Sequence, residues 1–125
     1  MTDRKQAAQT TISKAVFPNT TNHYDTLFGG EALKTMDEVA FICATRYAKK
    51  RMVTISSDKV DFTHPIPSGT IADFIANVIH VGNTSLRIQV EIYLEEMYSD
   101  KRYKAIEGVF TFVAIDEDRK PIPVH

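Results

Sequence analysis

The chain is short of most features that announce a specialised protein, and each shortage removes a class. A single cysteine, Cys43, leaves no intramolecular disulfide and no cysteine-clustered zinc site, and points to a reducing cytoplasm. No stretch approaches the roughly 20 consecutive apolar residues that a membrane helix needs. No apolar run follows the charged start, so a secretory signal is not expected. Neither charge sign dominates: 15 Lys+Arg against 16 Asp+Glu give a formal net charge of -1, unlike the basic footprint of a nucleic-acid binder. The glycines are not followed by Gly-Lys-Ser/Thr, so no phosphate loop is indicated. Ser56-Ser57 lacks the Gly-x-Ser-x-Gly turn of a nucleophile elbow. No histidine pair has metal-ligand spacing, so no metal is expected.

What is present fits one globular domain. The 125 residues are 43% hydrophobic and 25% charged, inside the ordinary range for a compact fold. Residues 1–9 are polar and without periodicity, and read as a flexible N-terminal arm. Residues 10–125 read as a single domain, with no repeat and no low-complexity linker. Thr10 to Phe17 has strand composition, and Pro18 to Asp25 is loop-like. Leu33, Met36, Ala40, Cys43, Ala44 and Tyr47 recur at three- and four-residue steps, predicting a helix from about Gly30 to about Lys49. Glu31 near its start and Arg46, Lys49, Lys50 and Arg51 near its end suit the helix dipole.

Four strands are predicted after it. Met52 to Thr63 is rich in Val, Ile and Thr. Thr70 to Val81 is apolar on both alternations, as expected of a strand buried on both faces. Leu86, Ile88, Val90, Ile92 and Leu94 alternate with polar residues, predicting one wet face. Tyr98 to Lys101 reads as a hairpin turn, and Lys104 to Ile115 as the last strand. Short turns favour antiparallel pairing. One helix of about 20 residues is about 30 Å long and covers part of one face, so further surface is expected to be buried against another subunit.

Few residues draw a chemical role. Asp37 falls on or beside the apolar stripe, where a carboxylate is costly unless paired or hydrogen-bonded. It is either an ion-paired stripe-edge residue or a functional one. Glu38 turns toward solvent. Asn22 through Gly30 is the second candidate: Gly29-Gly30 permits close backbone approach, and amides at a helix start are free to meet a carbonyl oxygen. The alternative is an ordinary tight turn. His23 and His64 are loop residues with acid–base potential, while His80 and His125 draw no role. Cys43 reads as a buried, inert thiol.

The string Asn22-His-Tyr-Asp-Thr-Leu-Phe28-Gly-Gly30, then Leu33 and Met36-Asp-Glu-Val-Ala40, resembles the acyl-CoA thioester hydrolases of the hotdog fold. The likeness continues through Val53-Thr54, Asp61-Phe62, Pro65, Gly69, Gly82-Asn-Thr-Ser85 and Ala105 to Asp116, covering roughly residues 12–123. It implies an α+β hotdog fold, a long central helix wrapped by an antiparallel sheet. It also implies assembly as a dimer and further as a hexamer, a trimer of dimers. The implied reaction is metal-independent hydrolysis of acyl-CoA to a free acid and CoA, with CoA as part of the substrate and no separate cofactor. By resemblance the catalytic residues are Asp37 and Asn22. The substrate-binding ones are Phe28, Gly29 and Gly30, with Gly82, Asn83, Thr84 and Ser85 gripping the coenzyme. Two departures stand out: Asp25 replaces a common Gly, adding a second carboxylate, and Asn83 replaces a common basic residue.

Geometry adds one constraint. Asp37 lies seven residues beyond Gly30, about 10 Å along a helix, too far for one carbonyl to touch both in the same chain. A site shared across a dimer brings them together. The resulting expectation is a cytoplasmic thioesterase, with neither nucleic acid nor membrane as a partner. The alternatives are a hotdog hydratase or dehydratase, which wants a His paired with a carboxylate, and a non-catalytic acyl-CoA-binding module, which would need an output surface.

Overall fold

The computed structural model describes residues 3–17, 29–58, 60 and 64–125. Asn22, His23, Asp25 and Phe28 lie outside them. In chain order the elements are α1 (Arg4–Ala8), β1 (Thr10–Ala15), α2 (Gly29–Ala48), β2 (Arg51–Asp58), β3 (Thr70–Val81), β4 (Ser85–Glu96) and β5 (Arg102–Ile115). The five strands form one sheet in the order β1-β3-β4-β5-β2, antiparallel at every pairing. This places β1 and β2 at the two edges. Among the described residues no helix is long and apolar enough to cross a membrane.

Alternation sets the inner face. Phe74 stands opposite Ile92, and Ile88 opposite Phe110, so the buried sets of three strands align in one layer. Leu86, Ile88, Val90, Ile92 and Leu94 of β4 are fully buried, and each such side chain contributes about 1.5–3 kcal/mol. α2 lies across this layer. Its buried line is Ala32, Met36, Val39, Ala40, Cys43 and Ala44, rotated slightly from the stripe expected from sequence. Leu33 therefore sits off the sheet, 36% exposed, and Phe41 is 43% exposed. On β3 the inner set Ala72, Phe74, Ala76 and Val78 is buried as expected. On the outer set Ile71 and Ile75 are half-buried and Ile79 is 43% exposed. A single chain covers only one face of this strand.

Most boundaries fall within two residues of the sequence reading, β1 ending at Ala15 and β5 starting at Arg102, but two regions differ by more. Arg4–Ala8 is helical rather than a flexible arm, with Asp3 accepting from the Lys5 amide at 3.0 Å as N-cap. A five-residue helix is too short to show periodicity; tertiary contacts hold it. The Arg4 guanidinium donates to the Tyr47 carbonyl at 2.6 Å and lies 4.5 Å from the Tyr47 ring centroid, satisfying a carbonyl at the end of α2. Ala8 is fully buried.

The second difference is β2, which ends at Asp58 rather than Thr63. Beyond it, Val60 packs over Gly108 of β5. A Cβ on Gly108 would stand 2.7 Å from Val60 Cγ2 and 3.3 Å from Met36 Cε. Val is stiff at χ1, so Gly108→Ala forces backbone or helix to shift. The expected loss of stability is about 1–3 kcal/mol, as for other overpacked sites. It should be read as a lower urea midpoint at unchanged m value; an unchanged midpoint would show that Val60 moves aside freely.

Candidate active site

Edge strand β2 and the first half of α2 enclose a cleft of about 440 Å³. Gly30, Leu33, Lys34 and Asp37 form the helical wall, residues 54–57 of β2 the other, and Phe110 the floor. The register of β2 explains why Thr54 faces the helix. It pairs with Phe112, whose ring is buried under α2, so Thr54 points to the same side. A bulge between Thr54 and Ser56 then inserts Ile55 as an extra residue. Ile55 is left 60% exposed, and Ser57 falls opposite Phe110 on the inner side.

The Thr54 hydroxyl donates to Asp37 Oδ1 at 2.9 Å. Asp37 is half-buried. One carboxylate oxygen is thus held by a hydroxyl, and the rest of its acceptor capacity is open to the cleft. This fixes the orientation of a group that can take a proton. The hydrogen bond to Thr54, rather than an ion pair, is what satisfies this stripe-edge carboxylate. Sequence reading did not give Thr54 a role. A β-branched residue in a strand is unremarkable, and only the register brings it to Asp37.

The other expected residues are distributed as follows. Gly29 and Gly30 are the first two residues of α2, and Gly30 lines the cleft. A Cβ at either would meet nothing within 4 Å. Gly82, Asn83, Thr84 and Ser85 form the β3–β4 hairpin, and none of them lines the cleft of this chain. The Gly82 amide donates to the Ser85 carbonyl at 2.8 Å, and the carbonyls of Thr84 and Asn83 accept from Ala114 and Val124, each at 2.9 Å. The hairpin is therefore tied to β5 and the C-terminal tail. The expected roles of Asn22 and Phe28 lie outside the described residues.

Cys43 is fully buried in the core. Burial pushes its thiol up to about 11, against a smaller downward pull from Arg46, which makes it unreactive at neutral pH. Among the described residues no three His, Cys, Asp or Glu side chains group to hold a metal ion, and none of the described histidines lines the cleft. A second depression, of about 370 Å³, lies on the outer sheet face. Its polar groups pair with one another: Arg87 with Asp58 at 3.1 Å and Gln89 with Glu107 at 3.4 Å. Asp37 and Thr54 make the cleft beside α2 the candidate site.

A long helix crossing a five-stranded antiparallel sheet is the arrangement of the hotdog fold. The family model of the thioesterase superfamily matches residues 24–100, and the chain belongs to that superfamily. Helicobacter pylori protein VdlD is 38% identical over 113 residues, 90% of this chain and 64% of VdlD. The chain thus spans somewhat less than two thirds of that relative. Among solved structures, the acyl-CoA hydrolase of Bacillus cereus superposes with a TM-score of 0.92 at 36% identity, covering 95% of this chain and 73% of that one. The acyl-CoA hydrolase of Staphylococcus aureus, solved with butyryl coenzyme A and coenzyme A, gives 0.89 at 35% identity over 95% and 73%. Alanine variants of it have been solved at an asparagine, at an aspartate fifteen positions later and at a threonine seventeen positions after that. A hexameric acyl-CoA thioesterase in its apo form gives 0.91 at 34% identity over 95% and 76%.

Proposed function

We propose that this protein is an acyl-CoA thioesterase, hydrolysing its substrate to a free acid and CoA with Asp37 as base or nucleophile. The observation that carries the reading is the Asp37–Thr54 hydrogen bond inside the cleft. Spacing supports it: Asn22 to Asp37 is fifteen positions and Asp37 to Thr54 seventeen, the same intervals as the three altered positions of the Staphylococcus aureus hydrolase.

As base, Asp37 takes a proton from water as its oxygen bonds to the thioester carbon. The carbonyl electrons move onto oxygen, where Asn22 and the amides at the start of α2 donate to the oxyanion, each such donor being worth about 3–4 kcal/mol. Collapse breaks the C–S bond, and the coenzyme thiolate takes the proton back from Asp37. As nucleophile, Asp37 would instead form a mixed anhydride that water opens. Every group in either route is a side chain or an amide, so the reading is metal-independent. The coenzyme is read as gripped at Gly82–Ser85, and the chain as cytoplasmic.

Assembly is part of the proposal. Among the described residues the outer edge of β2 is unpaired, and Leu33, Phe41 and Ile55 beside it are exposed. A second copy covers them in a dimer, and three dimers make a hexamer like the apo structure described above. The test is thiol release from a panel of acyl-CoAs, with and without EDTA, together with light scattering. Release that is insensitive to EDTA, from a dimer or hexamer, is expected. No release from any acyl-CoA by a folded sample would refute the activity, and an active monomer would refute the shared assembly.

A further inference from the structure

Among the described residues, Lys34 and Asp37 are the two charged side chains lining the cleft. Lys34 stands in the second turn of α2, near the positive end of the helix dipole, where a cation is unfavourable. The carboxylates nearest to it on the helix are Glu31, Asp37 and Glu38. Among the described residues, none of them and no carboxylate of another element forms an ion pair with it. The wall opposite carries the hydroxyls of Ser56 and Ser57. Beside the apolar Leu33, Ile55 and Phe110, an exposed cation and two hydroxyls therefore border the cavity, polar groups that a purely aliphatic acyl chain would leave without a partner.

We infer that Lys34 selects short acyl chains ending in a carboxylate, its ammonium pairing with that distal group while Asp37 faces the thioester. The inference rests on the thioesterase reading above. Distance favours the acyl end of the substrate over the coenzyme. Lys34 precedes Asp37 by three residues, so both side chains rise from one side of α2 with backbones about 4.5 Å apart along the axis, within reach of the two ends of one short diacid. The coenzyme's phosphates lie at the far end of the long pantetheine arm.

The experiment compares kcat/KM for succinyl-CoA and butyryl-CoA in the native protein, Lys34→Met and Lys34→Arg. Methionine keeps an unbranched stem and a good helix propensity. The succinyl-to-butyryl ratio should fall about tenfold in Lys34→Met, the scale of one lost charged hydrogen bond, and stay near native in Lys34→Arg. N-acetylcysteamine thioesters of the same two acids, which lack the coenzyme phosphates, should show the same fall. An unchanged ratio overturns the inference. So does an equal loss on both CoA esters that vanishes with the truncated thioesters, which would place Lys34 on the coenzyme. Native protein that hydrolyses other acyl-CoAs but not succinyl-CoA also overturns the inference, whereas release from no acyl-CoA of a wider panel would sink the thioesterase reading itself.

Discussion

Replacing Asp37 by Asn is expected to lower the turnover number by about a hundredfold or more, the range for loss of a general base. Asparagine keeps the oxygen that accepts from Thr54 at 2.9 Å, so the fold and the local geometry survive. It replaces the other oxygen with an amide that cannot take a proton. Thermal unfolding and binding of CoA should therefore be near native while thiol release collapses. Thr54→Val separates positioning from chemistry. It leaves the carboxylate but frees its rotation, and about a tenfold loss in turnover is expected for a misoriented reacting group. Near-native turnover in Asp37→Asn would reduce the pair to a structural hydrogen bond, and Asp25 would be the next residue to replace.

How much of this was legible before the structure depends on what each feature rests on. Helix α2 and strand β4 follow from local pattern: the three- and four-residue steps from Met36 to Tyr47 and the strict alternation from Leu86 to Leu94 match the buried residues found. β3 has the same bounds in sequence and structure, Thr70 and Val81, because Gly69 at φ +84 and the Gly82 turn delimit it. The misses are tertiary. α1 exists because Arg4 reaches Tyr47, more than forty residues away. Leu33 is exposed because the helix is rotated by its fit to the sheet, which a stripe of apolar letters does not specify. Thr54 meets Asp37 because of its register opposite Phe112 and the bulge that follows. Asp37 itself was legible, since a carboxylate on an apolar stripe is an anomaly of pattern. Its partner was an ordinary strand residue, and no local rule marks it.

Mixing two inactive variants should restore activity if the active site is shared between chains. The helix-start amides and Asp37 stand seven residues apart on one continuous helix, about 10 Å, whereas reacting groups must approach within about 3–3.5 Å. In a shared site the start of one α2 and the middle of the partner's would face a common carbonyl, so that both act on it. Asn22→Ala and Asp37→Ala homo-oligomers should each be nearly inactive. In a two-fold dimer made of one chain of each kind, one site carries both defects and the other carries neither. Co-refolding at equal concentration makes half of the dimers mixed, and recovery should approach about a quarter of native activity if sites work independently. Mixed dimers are detected by a size tag on one variant and separated before assay. If purified mixed dimers release no thiol, Asn22 and Asp37 act within one chain, and the cross-chain site is wrong.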